Sequence, residues 1–219
     1  MFDKIHLLKQ KGYNPNIILD IGAYHGNWTE SMLQIYSDSK YYLFEAINYN
    51  ELNRYNGCTN IQKYNVLLND AAREVDWFEL KNTGDSMFKE KTCHFTNCNS
   101  IKRQSIDLDT FSITNNIIAE QDSNILIKID CQGAEIPILK GASKILEKTD
   151  FIILETPFFG QYNEGVSSFL DHIKYMDSIG FAPYDLLENH YMNGFNMQID
   201  IMFINKNHSF NETVNKLLL

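Results

Sequence analysis

The sequence predicts an α/β fold built on a mostly parallel sheet of about seven strands, with helices on both faces. Along its 219 residues, short apolar runs of strand length alternate with longer segments whose apolar residues recur at helical spacing. That alternation is typical of a doubly wound sheet. Two further alternating segments, 181–188 and 197–204, are joined through Gly194 and predict a hairpin whose last strand is antiparallel.

Composition and charge predict one domain that acts on small or neutral molecules. Hydrophobic residues make up 44% of the chain, and neither a linker rich in Pro, Gly or Ser nor an internal repeat divides it. We therefore expect a single domain over residues 1–219, with a covering helix within 1–14 and a tail at 206–219. The formal net charge of −9 argues against binding to nucleic acid, because a phosphate backbone needs a dense basic patch.

The cysteines and the N-terminal segment predict a reduced cytoplasmic protein without a bound metal. Cys93 and Cys98 flank His94, but the sequence has no CxxC pair and no second group of ligands at zinc spacing. Charged residues interrupt the apolar positions of residues 1–12, so neither a signal peptide nor a membrane-spanning segment is predicted there. We expect free thiols and a cytoplasmic location.

Residues 17–28 predict a strand, a tight turn and the start of a helix, and the rest of the chain is arranged around them. The apolar run 17–19 is followed by Asp20, and the turn after it carries Gly22 and Gly26. Glycine permits positive φ, and its missing side chain lets a ligand lie against the backbone. The turn either cradles a nucleotide-type cofactor or is an ordinary connection in a doubly wound protein.

The helix after this turn is predicted over residues 28–36. Asn27 is placed as its N-cap, and Glu30 stands three residues later as the partner in a capping box. A second strand over residues 41–44 then ends at Glu45. An acid at the tip of the second strand is where doubly wound folds bind ribose hydroxyls, although an ordinary strand can also end in a charge.

The middle of the chain predicts strands separated by a long loop. Apolar or alternating residues predict strands over 61–68 and 75–80 and a short apolar-spaced element over 103–111. Residues 82–100 are polar and rich in turn formers, which is typical of an active-site cover or a disordered insertion. His94 lies in this loop and is either a solvated side chain or a base.

Residues 124–141 form the second informative stretch. The buried run 125–129 ends at Asp130, and the helix that follows tolerates Pro137 in its first turn. Glu135 lies in the same turn, where the helix dipole favours a negative charge with or without a catalytic role. One side of this single helix is predicted to carry Ile136, Leu139, Ser143 and Leu146.

Acidic residues end several predicted strands on one side of the sheet. In open α/β sheets ligands bind outside the carboxyl ends of the strands, so Asp20, Glu45 and Asp130 are expected to converge on one crevice. A further buried strand, 151–154, ends at Glu155. The aromatic loop 156–162 after it predicts a partial lid or an apolar wall, and aromatic rings suit the CH faces of sugars.

A helix over residues 166–178 and the hairpin complete the predicted sheet, with Gly180 placed as the stop of that helix. The antiparallel last strand separates two classes of protein. Dinucleotide-dependent dehydrogenases keep a parallel sixth strand, whereas Rossmann-like methyltransferases insert an antiparallel one.

Eight motifs occur in order between residues 12 and 204: DIGAYHGNW, LFEA, TGDSMFKE, SIDLDTF, KIDCQGAEIPILKGA, FIILE, GFAPYDLL and QIDIMFIN. Together they resemble an FkbM-type S-adenosylmethionine-dependent methyltransferase. The most specific motif is the Asp-x-x-Gly-Ala-Glu run at residues 130–135, which few other class I methyltransferases carry. Tyr24 departs from the family pattern, in which many members have asparagine in the glycine turn.

The resemblance implies a Rossmann-like class I methyltransferase fold, S-adenosylmethionine as cofactor, and O-methylation of a carbohydrate, a glycolipid or a related small natural product. The acceptor partner would be a small molecule or a glycan. The residues expected to bind the cofactor are Asp20, Gly22, Ala23, Tyr24, Gly26, Glu45, Ala46 and Asp130.

Methyl transfer from a sulfonium requires an aligned acceptor oxygen and removal of the hydroxyl proton. Asp130 is the first candidate for the base or the acceptor-orienting carboxylate, followed by Glu135 and Glu155. If Asp130 instead binds the amino group of the cofactor, Glu135 becomes the stronger candidate. The sequence has no Asp/Asn-Pro-Pro-Tyr run after the fourth strand, which disfavours methylation of an amide or nucleobase nitrogen.

Two alternatives remain at this stage. A nicotinamide-dependent oxidoreductase would carry G-x-G-x-x-G, whereas this turn has Ala23 between Gly22 and Gly26. A non-catalytic cofactor-binding subunit has no reason to gather acids in one crevice. The sequence leaves open the acceptor, the identity of the base and the oligomeric state.

Overall fold

Two β-sheets organise the protein in its computed structural model, which describes residues 1–118, 123–161 and 163–218. The strands are β1 (Ile17–Ile21), β2 (Lys40–Glu45), β3 (Ile61–Asn65), β4 (Leu67–Asn69), β5 (Arg73–Phe78), β6 (Ser100–Asp107), β7 (Ile125–Ile129), β8 (Thr149–Pro157), β9 (Phe181–Met192) and β10 (Phe195–Asn205). The helices are α1 (Phe2–Gln10), α2 (Asn27–Ile35), α3 (Leu108–Thr114), α4 (Glu135–Lys140), α5 (Ser143–Leu146), α6 (Phe169–Ser178) and α7 (Ser209–Leu217).

The larger sheet has seven strands within the described ranges, in the order β3-β2-β1-β7-β8-β10-β9. Its first five strands run parallel, and β10 lies antiparallel between β8 and β9. The predicted α/β class and the antiparallel last strand are therefore confirmed. The smaller sheet joins β4, β6 and β5.

Different helices cover the two faces of the larger sheet. Ile17 and Leu19 of β1 pack in one core with α4 and α5, whereas Ile18 packs in a second core with α1 and α2. Successive side chains of a strand point to opposite faces, so a strand covered on both sides needs an unbroken apolar run. Both β1 and β7 are buried along their whole length, which explains why their sequences predicted them well.

The predicted strand over residues 61–68 is wrong in its extent. The strand is interrupted at Val66, whose amide donates to the carbonyl oxygen of Glu45. The segments before and after Val66 belong to different sheets. β3 pairs with β2, while β4 pairs with β6 through Leu67 and Ser105. The element predicted over residues 103–111 divides in the same way into the end of β6 and the helix α3.

The single helix predicted after Asp130 is also wrong, because it is two short helices, α4 and α5. The carboxylate of Asp109 caps the N-terminus of the second helix by accepting from the amides of Lys144, at 2.9 Å, and Ile145, at 3.2 Å. Ser143 is exposed rather than part of the core, whereas Leu139 is buried as predicted.

The capping box predicted for α2 is absent from the structure. Gly26, with φ +78°, is the N-cap, and Asn27 is the first helical residue. Glu30 instead pairs with Arg54 at 2.8 Å, and the same guanidinium donates to the side-chain oxygen of Asn27 at 2.9 Å. A capping box does occur at α6, where Ser168 and Asp171 bind each other's backbone amides. That helix consequently starts at Phe169, later than predicted, and ends before Gly180 as predicted.

The ends of the chain are helical where the structure describes them. Helix α1 lies within the predicted covering segment, and α7 lies within the predicted tail. No helix in the described part of the chain combines the length and the apolar character needed to cross a membrane.

Candidate active site

A cavity of about 850 Å³ opens where β1, β2 and β7 end, which is the crevice predicted from the strand-tip acids. Glu45 and Asp130 both line it. Asp20 does not: it is fully buried, accepts from the Thr29 hydroxyl at 2.6 Å, and lies 3.9 Å from the Lys128 Nζ. The expected convergence therefore holds for two of the three acids.

Glu45 is held rigidly at the tip of β2. Its Oε2 accepts from the amide of Tyr24 at 2.7 Å, and its Oε1 accepts from the amide of Ile47 at 2.9 Å. Burial raises the pKa of the Glu45 carboxyl, and the two amide hydrogen bonds partly oppose that rise. Each carboxylate oxygen keeps a second lone pair for a ligand in the cavity.

The glycines of the turn after β1 allow other segments of the protein to pack closely against this turn. A Cβ on Gly22, whose φ is +79°, would lie 1.9 Å from the carbonyl oxygen of Asp130, and a Cβ on Gly26 would lie 2.7 Å from the ring of Tyr55. Gly22 lines the cavity, whereas Gly26 does not. Both glycines are thus required by the close packing of neighbouring segments. Of the two, Gly22 is the one whose backbone a ligand in the cavity could approach.

Aromatic and apolar residues form the wall beside Glu45. Tyr24 stacks on His25 with ring centroids 3.7 Å apart, and Tyr49 meets both rings edge-on at 4.9 Å. Ala46, Leu67 and Trp77 belong to a small hydrophobic cluster against which Tyr49 also packs. A flat apolar pocket next to a carboxylate suits the base and ribose of a nucleoside.

Asp130 is paired with a buried lysine. Its Oδ2 accepts from Lys128 Nζ at 3.1 Å, and its Oδ1 accepts from Gln132 Nε2 at 3.2 Å. Burial alone would raise the pKa of the Asp130 carboxyl, but the charge and hydrogen bond of Lys128 outweigh it and hold that pKa below its usual range. Asp130 is therefore a firmly ionised carboxylate and a weak base.

Glu155 lies inside β8 rather than at its end, because the strand continues to Pro157. Its Oε2 accepts from Gln132 Nε2 and from Gln198 Nε2, each at 2.8 Å. Burial, together with the neighbouring charge of Asp130, raises the pKa of Glu155 well above its usual value. The pKa values of Glu155 and Asp130 are thus shifted in opposite directions, although both carboxyl groups line the cavity.

Four acids line the cavity in one row across the sheet. Asp200 of β10 stands opposite Glu155 on one side and Glu188 on the other, and Asp130 follows β7 at the same level. The pairing register places the four acids on the same face of the sheet, because the side chains of residues directly opposite each other on paired strands point to the same side. Among the described residues that line the cavity, Lys128 is the one lysine or arginine near this row.

Glu135 does not line the cavity. It is buried, and its Oε1 accepts from the amides of Cys131, at 2.9 Å, and Gly133, at 3.2 Å. Its other oxygen lies 3.9 Å from His172 Nε2. The alternative raised from the sequence, a charge at the first turn of a helix, describes this geometry better than a catalytic role.

The cover over the cavity comes from the long loop after β5. Eight of the residues from 82 to 95 line the cavity, among them Asp85 and His94, which agrees with the prediction of a cover. The aromatic loop 156–162 was expected to do this, but Phe158 and Phe159 extend the ladder to β10 and stay exposed. Tyr162 lies outside the described residues.

The polar residues of the terminal hairpin contribute to the cavity although the sequence motifs did not predict it. Gln198, Asp200 and His190 line the cavity, and Asp200 Oδ2 lies 2.8 Å from His190 Nε2. The alternation of polar Gln198 and Asp200 with apolar Ile199 and Ile201 was the available signal. That pattern indicates a strand with one polar face, and only the sheet order shows that the face meets the cavity.

No group of three or more His, Cys, Asp or Glu side chains in the described ranges is arranged to hold a metal ion. The cysteines of these ranges are unpaired. A site without a metal therefore stays a prediction.

The protein has a Rossmann-like α/β fold with a cavity at the carboxyl ends of its parallel strands, which is where proteins of this fold bind ligands. Residues 20–183 match the model of the methyltransferase FkbM domain. The match covers well over half of the chain, so the protein belongs to the FkbM methyltransferase family, as the sequence motifs indicated. Among curated proteins, no sequence matches this chain.

Solved structures share the fold. Methyltransferase FkbM from Methylobacillus flagellatus is similar with a TM-score of 0.52 and 15% identity, over 85% of this chain and 43% of that one. The 1,6-didemethyltoxoflavin-N1-methyltransferase of Burkholderia thailandensis, solved with S-adenosylhomocysteine, is similar with a TM-score of 0.52 and 8% identity, over 89% of this chain and 72% of that one. The present chain thus spans less than half the length of the Methylobacillus protein.

Proposed function

We propose that this protein is an S-adenosylmethionine-dependent O-methyltransferase. The observation that carries the proposal is the position of Glu45, rigidly held at the tip of β2 in a cavity that also contains the acid row, in a chain of the FkbM family. S-adenosylmethionine is a cation at its sulfonium and its amino group. A cavity rich in carboxylates attracts such a ligand, because opposite charges stabilise each other most where water is excluded.

The cofactor would lie with its ribose on Glu45, whose two oxygens can accept from both hydroxyls of a diol. Its base would fill the apolar pocket at Ala46 and Trp77, and its chain would pass over the turn of Gly22, Ala23 and Tyr24. Gly26 and Asp20 would act indirectly. The first shapes the start of α2, and the second holds α2 against β1 through Thr29.

We place the methyl group near Asp130 and the acceptor along the acid row. Asp130 would orient either the amino group of the cofactor or the acceptor hydroxyl, because its paired, low-pKa carboxylate accepts hydrogen bonds but binds a proton weakly. Glu155 would line the acceptor side of the cavity beside Asp130, to which it is hydrogen-bonded. Glu135 would hold the turn at residues 131–133, which presents Asp130 to the cavity.

The acceptor is proposed to be a hydroxyl of a carbohydrate, a glycolipid or a related small natural product. Carboxylates and amides side by side, as at Glu155, Gln198 and Glu188, offer the several acceptors and donors that a polyhydroxylated molecule requires. Alignment of the acceptor oxygen with the methyl carbon would supply much of the rate, since the sulfonium already carries its leaving group.

Isothermal titration with S-adenosylmethionine, S-adenosylhomocysteine and NAD tests the proposal directly. We expect both sulfur compounds to bind in a one-to-one ratio and NAD to give no heat of binding. Binding of NAD in their place would support the oxidoreductase, and the absence of binding for all three would reject a cofactor site. Methyl transfer is then tested by mass spectrometry of glycans with and without the protein, in which a gain of one methyl group per acceptor is expected.

A further inference from the structure

A histidine and an aspartate form a pair on the terminal hairpin that no step above uses. His190 of β9 lies with its Nε2 at 2.8 Å from Asp200 Oδ2 of β10. Asp200 is buried, with 6% of its side chain exposed, whereas the side chain of His190 is 40% exposed. Both residues line the cavity. Because Asp200 occupies Nε2, the lone pair of the neutral ring lies on Nδ1.

The pair of His190 and Asp200 lies next to a group of hydrogen-bonded polar side chains near the end of β7, namely Asp130, Gln132 and Glu155. Gln198 lies directly opposite His190 across the hairpin, and the Nε2 of Gln198 donates to Glu155. Gln132 then connects Glu155 to Asp130. This series of hydrogen-bonded side chains connects the place proposed for the methyl group with the neighbourhood of His190.

Two carboxylates of the row, Asp130 and Glu155, are hydrogen-bonded to each other and to neighbouring side chains. Lys128 holds the pKa of Asp130 below its usual range, whereas burial and the charge of Asp130 raise the pKa of Glu155 well above its usual value. The charged groups that face His190 are Asp200 from β10, Glu188 from its own strand and Asp130 from the end of β7. The hydrogen bond to Asp200 raises the pKa of His190 above its ordinary value, despite partial burial, which makes the imidazole a stronger base.

We propose that His190, oriented by Asp200, is the general base that accepts the proton of the acceptor hydroxyl during methyl transfer. This inference rests on the proposed methyltransferase function. The hydroxyl oxygen forms a bond to the methyl carbon as the carbon–sulfur bond breaks, and its electron pair goes to the sulfur. The hydroxyl proton moves to Nδ1 of His190, and S-adenosylhomocysteine leaves as a neutral thioether. The imidazolium is stabilised by Asp200 and later releases the proton to water.

The position of His190 can be tested without an acceptor. S-adenosylmethionine carries a positive charge at sulfur that S-adenosylhomocysteine lacks, and a nearby cation lowers the pKa of an imidazole. The protein has six histidines, so labelling of histidine with ¹³C gives a small set of imidazole signals to titrate by NMR. The signal of His190 is identified by its loss in His190→Gln.

We expect the pKa of His190 to be lower by about 0.5 to 1 unit with S-adenosylmethionine bound than with S-adenosylhomocysteine bound. His6, which is exposed on α1 and does not line the cavity, serves as the internal control, and its signal should not differ between the two complexes. In Asp200→Asn the pKa of His190 should fall in the free protein, because its carboxylate partner is lost.

Equal His190 pKa values in the two complexes would overturn the inference, since the histidine would then lie too far from the sulfonium to reach the acceptor. Titration calorimetry on the same samples separates the two hypotheses. Absence of cofactor binding rejects the proposed function itself, whereas binding of both compounds with an unchanged His190 rejects only the role of this residue.

Discussion

The carbonyl oxygen of Asp130 lies 1.9 Å from the position that a Cβ on Gly22 would occupy. The tips of β1 and β7 therefore touch backbone to backbone, and any side chain at position 22 would force them apart. These two tips carry the glycine turn and the paired Asp130, so the same contact aligns the two halves of the cavity.

Gly22→Ala should destabilise the protein by about 2 to 4 kcal/mol, because it combines a positive φ with a backbone clash. Thermal denaturation of the purified variant measures the change. Gly57→Ala is the matched control, since Gly57 has a similar φ of +85° but nothing within 4 Å of its would-be Cβ. That control should cost about 1 kcal/mol. Equal losses in the two variants would show that the clash contributes nothing.

Glu45→Ala should weaken binding of S-adenosylmethionine by roughly 1 to 3 kcal/mol, since the ribose hydroxyls lose their acceptor and the amides of Tyr24 and Ile47 lose theirs. Titration calorimetry gives the dissociation constant. Glu74→Ala removes the same charge from an exposed site outside the cavity and should leave binding unchanged. An unaltered dissociation constant in Glu45→Ala would remove Glu45 from the cofactor site.

Lys128→Met should destabilise the protein by about 3 to 5 kcal/mol, because it leaves Asp20 and Asp130 without their buried positive partner. Chemical denaturation measures the loss. Lys102→Met is the comparison, since Lys102 pairs with Asp76 on the surface, where both side chains are about half exposed. Its expected cost is much smaller than that of Lys128→Met, because water screens an exposed ion pair. A small effect at Lys128 would mean that the buried acids find water or protons instead.

The buried pair of His172 and Glu135 predicts a pH-dependent contribution to stability. Burial lowers the pKa of His172, but the neighbouring Glu135 raises it by more, so the folded-state pKa lies above the ordinary value of about 6.5. The pair therefore stabilises fully below the ordinary pKa, and this stabilisation is lost as pH rises through the folded-state pKa.

His172→Gln should consequently lose most stability at low pH. The difference in unfolding free energy between wild type and variant is expected to shrink with rising pH, by no more than about 1.4 kcal/mol per unit. Urea denaturation at several pH values between 5.5 and 9 measures it. A difference that grows with pH would mean that His172 is held neutral.

Local patterns were sufficient for the parts of the fold that depend on spacing along the chain. The unbroken apolar runs of β1 and β7 predicted strands covered on both faces, and the position of Glu45 at the end of the second strand predicted an acid at the rim of the crevice. They failed where two segments share one apolar run, as at residues 61–68. There the hydrophobic pattern is continuous, while the backbone leaves one sheet for another.

The sequence by itself determined the α/β class, the antiparallel terminal hairpin and the family, because these depend on periodicity and on motifs within short stretches. The tertiary structure alone decided the chemistry of the acids. Lys128 makes Asp130 a weak base, backbone amides engage Glu135, and Asp200 pairs with His190. Protonation and orientation depend on the neighbours and burial that a side chain acquires when distant strands pair, and no local pattern records those contacts.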